Sequence, residues 1–217
     1  MPTRVKICGV TRFEDAQQAV ALGAAALGFN FYPPSPRYIE PEVARAMVRR
    51  LPPLVTSVGV FANQTDAGSV ILLAREAGVS TVQLHGPSFP PWPELLDAFT
   101  LIVAVAVRQG FNPADLGKIQ ANAYLLDAFD PVRPGGTGKT FDWSAAREAK
   151  RYGPVILAGG LTPANVGQAV RAVRPFAVDV ASGVESSPGI KDPAKLRAFF
   201  AAVAEADNDD GTTTRTA

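Results

Sequence analysis

A chain of 217 residues, 47% of them hydrophobic, is long enough to bury a sizeable core in one large domain or two small ones. A net charge of +1 argues against a nucleic-acid-binding face, and a lone cysteine excludes an internal disulfide and fits a reducing cytoplasm. The longest apolar stretches are too short and too interrupted to span a bilayer, and one histidine with one cysteine gives no metal-binding spacing.

The N-terminus Met1-Pro2-Thr3-Arg4 runs straight into an apolar segment, so no signal peptide is expected. Short apolar runs then alternate with amphipathic stretches. The runs predict eight strands: Val5–Cys8, Ala25–Phe31, Thr56–Phe61, Thr81–Leu84, Leu101–Val105, Ala123–Asp127, Val155–Ala158 and Ala177–Val180. They are continuously apolar rather than alternating, as strands buried on both faces are.

Helix signals fall between them. Thr11 and Glu14 have capping-box spacing, and Gly23 stops that helix. Pro41 to Arg50 places Val43, Ala46 and Met47 on one face, with arginines at the carboxyl end. Asp66 caps a run that ends at Gly78. Thr162-Pro163 and Asp192-Pro193 each set a capping side chain before a proline suited to the first helical position. In the last helix Leu196, Phe199, Phe200 and Val203 have helical spacing. Segments 87–93 and 112–120 carry weak signals and are expected to be short or distorted helices. The tail from Ala204 to Ala217 has no apolar face, so the domain is expected to end at residue 203 and the tail to be disordered. This alternation fits a single α/β domain, a closed (β/α)8 TIM barrel, with a doubly wound open sheet as the alternative.

Functional groups of such folds collect at the carboxyl ends of strands. Cys8 ends the first strand and Asp127 the sixth, so both would face one mouth, where a thiol and a carboxyl can divide proton transfers. The plainer alternatives are a buried small hydrophobe for Cys8 and a loop cap for Asp127. Gly159-Gly160 and Ser182-Gly183 form glycine turns after strands seven and eight, the usual phosphate site of these barrels. Gly135 to Thr140 looks like a P-loop but lacks the first glycine, since Arg133 stands there; it reads as a loop that closes over the mouth. Arg37, in a proline-stiffened loop, can grip a carboxylate or be an ordinary surface arginine. Gln83 and His85, at the end of strand four, are expected to line the site.

Together these motifs resemble the phosphoribosylanthranilate isomerase family of tryptophan biosynthesis. Lys6-Ile7-Cys8-Gly9, Gly28 to Tyr32 with Ser35 to Tyr38, Val58 to Phe61, Gln83 to Gly86, Leu126-Asp127, Gly135 to Gly138 with Phe141 to Trp143, Ala158 to Leu161, and Asp179 with Ser182 to Glu185 follow its pattern in order, over residues 4–203. The resemblance implies a cytoplasmic enzyme, monomer or homodimer, that needs no cofactor and acts on a small phosphosugar. The implied reaction is an Amadori rearrangement of N-(5-phosphoribosyl)anthranilate to 1-(2-carboxyphenylamino)-1-deoxyribulose 5-phosphate. By position Asp127 would be the general acid and Cys8 the general base. Arg37 would hold the anthranilate carboxylate, the amides of Gly159, Gly160, Ser182 and Gly183 the phosphate, and Asp179 would join Gln83 and His85 against the substrate. A related sugar-phosphate isomerase of histidine biosynthesis is the nearest rival, but that resemblance brings an aspartate where Cys8 stands. A nucleotide-hydrolysing protein and a non-catalytic phosphosugar-binding barrel are the rivals of other classes.

Overall fold

The structure is a computed structural model that describes residues 1–86, 92–108, 110–127 and 143–209. Eight parallel strands close into a barrel in chain order: β1 (Arg4–Ile7), β2 (Ala26–Asn30), β3 (Thr56–Ala62), β4 (Thr81–His85), β5 (Thr100–Ala106), β6 (Ala123–Asp127), β7 (Val155–Ala158) and β8 (Ala177–Val180). Closure is made by β1, which pairs with β2 on one side and with β8 on the other. Helices α1 (Phe13–Ala21), α2 (Pro41–Val48), α3 (Ala67–Ala77), α4 (Pro93–Ala98), α5 (Trp143–Ala149), α6 (Val166–Val173) and α7 (Pro193–Asn208) wrap the outside. After β5 a 3-10 helix, Pro113–Lys118, stands in place of an α-helix, as the weak signal there predicts.

The continuous apolar runs have a direct cause. One face of each strand packs inward, where Val58, Val60, Ile102, Ala104, Leu125, Ile156 and Ala158 fill the barrel. The other face, with Ile7, Leu27, Phe29, Phe61, Leu126 and Val178, packs against helix residues such as Ala16, Val70, Leu196 and Phe199. Both faces are out of water, so neither can be polar by default.

Several sequence expectations need correction. Thr11 does not cap α1: Arg12 is the N-cap without a side-chain bond, and the Thr11 hydroxyl instead donates to the Gly189 carbonyl at 2.6 Å. A tertiary acceptor has replaced the local one. Thr162-Pro163 does not begin α6, which starts at Val166; Thr162 N–H donates to the Asn165 side chain at 2.7 Å within the preceding turn. On α2 the buried residues are Ala44 and Met47, whereas Val43 is about half exposed. The domain does not end at residue 203. Helix α7 continues to Asn208, buries Ala206, and offers the Asp207 carboxylate to the Thr3 amide and hydroxyl, both at 2.7 Å. Small alanines at 202 and 206 hid the apolar stripe. Asp66 and Asp192 do cap their helices, each accepting two backbone N–H bonds. A two-stranded hairpin, β9 (Glu185–Ser187) and β10 (Ile190–Lys191), follows β8 and has no counterpart among the predicted elements.

Candidate active site

The carboxyl ends of the strands surround a cavity of about 460 Å³. Its lining includes Cys8, Arg37, Gln83, His85, Asp127, Asp179, Gly159, Gly160, Ser182 and Gly183, so the sequence-predicted site residues converge on one mouth. The P-loop-like segment 135–140 lies outside the described residues. A second cavity, at the opposite end of the barrel, has a mainly apolar lining that includes Val58, Ile102 and Phe176.

Cys8 is held by its backbone. Its N–H donates to Val180 at 2.8 Å, and its carbonyl accepts from the Lys191 ammonium. Burial pushes the thiol up from its ordinary 9.0, against the pull of Lys6 and Lys191, while Asp179 adds to the upward push. Lys6 sits two residues earlier, on the inward face of β1. It is 2% exposed and bonds Asp179 at 2.8 Å, its register partner on β8. Burial disfavours the Lys6 ammonium, but Asp179 and Cys8 outweigh that and hold its pKa above 10.5.

Asp127 ends β6, between Ala106 of β5 and Ala158 of β7, and enters the cavity from another side. On β4 the Gln83 amide nitrogen meets the His85 Nε2. Burial and the Lys6 charge, partly opposed by Asp179, lower the His85 pKa to about 4, so the imidazole is neutral near pH 7. The Gln83 Oε1 is buried with no hydrogen-bond partner among the described residues.

Arg37 reaches the mouth as one member of a chain of charges. Its Nε and Nη2 donate to the two Glu185 oxygens at 2.9 and 2.7 Å, and Lys191 bonds the same carboxylate at 2.8 Å. Burial alone would raise the Glu185 carboxyl; the bonds from Arg37 and Lys191 hold it below its ordinary 4.5. Sequence reasoning gave no role to Lys6, Glu185 or Lys191. A lysine inside a buried run was the available signal for Lys6, and Ser187-Pro188-Gly189 was the turn signal for the hairpin that carries the other two.

The two glycine turns meet at the rim. Gly160 has φ +64, a left-handed conformation that side chains adopt rarely. Gly183 lies in a single 3-10 turn, Ser182–Val184, pressed so closely on the Leu161 carbonyl that a Cβ there would overlap the oxygen. Backbone amides and a serine hydroxyl, with no charged side chain in either turn, suit an anion held by the main chain. No helix among the described residues is long and apolar enough to cross a membrane.

The chain is similar to known proteins over most of its length. Residues 5–202 match the family model of N-(5'-phosphoribosyl)anthranilate (PRA) isomerase. A protein of Citrifermentans bemidjiense named N-(5'-phosphoribosyl)anthranilate isomerase is 50% identical over 92% of this chain and 96% of its own length. The crystal structure of phosphoribosyl anthranilate isomerase from Thermotoga maritima superposes with a TM-score of 0.85 at 41% identity, covering 94% of this chain and 99% of that one. A further solved isomerase, in complex with reduced 1-(o-carboxyphenylamino)-1-deoxyribulose 5-phosphate, has a TM-score of 0.80 at 40% identity over 94% of this chain and 99% of that one. A barrel with a thiol and a carboxyl at one mouth, matched over more than nine-tenths of its length by such relatives, belongs to the N-(5'-phosphoribosyl)anthranilate isomerase family of enzymes.

Proposed function

We propose that the chain catalyses the Amadori rearrangement of N-(5-phosphoribosyl)anthranilate by general acid–base catalysis, with Asp127 as acid and Cys8 as base. The observation that carries this reading is the single cavity lined by both groups and by the two glycine turns. The Asp127 carboxyl gives its proton to the furanose ring oxygen as the C1–O bond breaks, and the anilino nitrogen lone pair forms the C1=N bond. Without that proton the leaving alkoxide is poor. The iminium acidifies C2–H, so a base of modest strength is enough, and the Cys8 thiolate takes that proton. The electron pair moves into C1=C2, giving an enolamine. Proton return to C1 with loss of the C2 hydroxyl proton gives the ketone. The iminium is the electron sink, so the sequence of steps draws on no cofactor.

The remaining roles follow from placement. Glu185 leaves Arg37 with donors beyond the pair it occupies, and their planar fork fits the anthranilate carboxylate. The amides of Gly159, Gly160 and Gly183, with Ser182, hold the phosphate. A sugar hydroxyl would give the buried Gln83 oxygen the donor it lacks, beside the neutral His85. Asp179 completes that wall. We also infer a cytoplasmic protein, as monomer or homodimer; the relative from Thermotoga maritima is described as dimeric. The test is turnover of freshly made phosphoribosylanthranilate, followed by loss of its fluorescence. Absence of turnover by the intact protein would remove the assignment, and turnover of the histidine-pathway aminoaldose instead would favour the related isomerase.

A further inference from the structure

The Lys6 ammonium is not used by the reaction as written, yet it lies inside the barrel beside the base. Strand register explains how it comes to be there. Lys6 lies on the inward face of β1 and Cys8 just past its carboxyl end, and both lean over Gly28 of β2. A Cβ at Gly28 would meet the Cys8 Sγ at 3.0 Å and the Lys6 Nζ at 3.1 Å, so the missing side chain makes the room in which thiol and ammonium face each other. Asp179 on β8 fixes the ammonium at 2.8 Å from the other side. Desolvating a lysine is costly unless a partner repays it, and an ion pair alone would be served as well by apolar residues. The pair stands where a negative charge must form during turnover.

We propose that Lys6 is a positioning residue for proton abstraction: anchored on Asp179, its ammonium stabilises the thiolate that Cys8 must become. The proposal rests on the assignment of Cys8 as base. The other charged or titratable groups around the thiol are Lys191 and Arg37, both tied to Glu185, with His85 and Asp127 elsewhere on the cavity wall. Of the cations acting on the thiol, Lys6 pulls hardest towards the thiolate, and Asp179 opposes it.

This predicts opposite effects from the two halves of one ion pair. The readout is the pH dependence of alkylation by iodoacetamide, which reports the thiolate directly because Cys8 is the only cysteine. Lys6→Met should move the alkylation limb to higher pH by about one to three pH units, the usual influence of a close opposite charge. Asp179→Asn, which leaves the ammonium unneutralised, should move it to lower pH. Lys6→Arg should restore much of the wild-type limb. The same displacements should appear in the acid limb of kcat/KM, with kcat falling more than KM rises in Lys6→Met. A purely structural pair would cost stability in both variants and leave the limbs where they were, and that result overturns the proposal. If Lys6→Met does not fold, the double variant Lys6→Met with Asp179→Asn removes both charges. Its limb should lie above the wild-type limb, and a limb at or below wild type also overturns it. A displaced alkylation limb in a protein that never turns over phosphoribosylanthranilate would instead count against the assigned reaction while leaving the Lys6–Cys8 coupling in place.

Discussion

Arg37 and Glu185 face each other fork to fork, with Nε to Oε1 at 2.9 Å and Nη2 to Oε2 at 2.7 Å, although they lie 148 residues apart in sequence. Glu185 is almost wholly buried, and Arg37 is mainly so. The contact fixes the plane of the guanidinium at the rim. Arg37→Ala should therefore lower kcat/KM about 10- to 150-fold, the worth of roughly 1.5–3 kcal/mol for a charged hydrogen bond. Arg37→Lys should recover little, because lysine has no planar fork. Glu185→Gln should raise KM by loosening the same fork. A change within twofold for Arg37→Ala in steady-state kinetics would show that the carboxylate is read elsewhere.

Cys8 and Asp127 should each be worth about 10²–10⁴ in rate, as positioned acids and bases are. Asp127→Asn keeps the shape without the proton, and Cys8→Ala removes the base. Both should lose kcat with KM little changed, the mark of an interaction made in the transition state. Near-normal turnover by Cys8→Ala would return the thiol to a packing role.

The cause of each miss in the sequence reading is visible in particular residues. The barrel, its eight strands and the members of the mouth were legible, because burial on both strand faces writes itself as unbroken apolar runs and strand ends are where such folds gather chemistry. What was not legible depends on contacts between distant segments. Thr11 has a good local partner in Glu14, yet bonds Gly189. The charge chain Arg37–Glu185–Lys191 exists only once the hairpin after β8 folds back under the first strand end, where Lys191 also reaches the Cys8 carbonyl. The segment from Ala204, acidic and without an obvious apolar face, reads as a tail in sequence, yet its Asp207 is bonded to Thr3 at the other end of the chain.

The phosphate turns should separate two kinds of glycine requirement. At Gly183 there is no room: even Gly183→Ala would push the Leu161 carbonyl, and the two turns should part, raising KM severalfold or more. At Gly160 there is open space but a left-handed backbone, so Gly160→Val should act through a strain of about 1–2 kcal/mol. KM measurements on both variants, with inhibition by inorganic phosphate as a second readout, test this. Unchanged values in both would remove the site from these turns.

His85 gives a pH signature. Its ordinary pKa of 6.5 applies to the unfolded chain, whereas the folded value is about 4, held down by burial and by Lys6. The native state therefore takes up the proton less readily than the unfolded one. The resulting stability is present above pH 6.5 and is lost as the pH falls towards 4. The melting temperature of the wild type should decline through that window, and His85→Gln should flatten the decline. A slope that is the same in both proteins would show that other groups produce it.

The end of α7 should matter more than its composition suggests. Asp207→Ala removes two bonds to Thr3 and should lower Tm by a few degrees, since about 1 kcal/mol is worth roughly 2–4 °C in a chain of this size. Truncation after Asp209 keeps those bonds and should leave Tm unchanged. Equal losses from both changes would place the stabilising contact beyond Asp209.

The bond between Thr3 and Asp207 also brings the residues before β1 and the end of α7 to neighbouring points, alongside the seam where β1 meets β8. A short linker could join Thr3 to the end of α7, and new termini could be opened in an outer loop between other β/α units. Because each strand pairs only with its immediate neighbours around the ring, such a circularly permuted protein would keep every one of its pairings. Thr3 precedes the first strand, whereas Cys8 follows it, so a second protein fused ahead of Thr3 would sit at the far end of the barrel and leave the mouth open to its substrate.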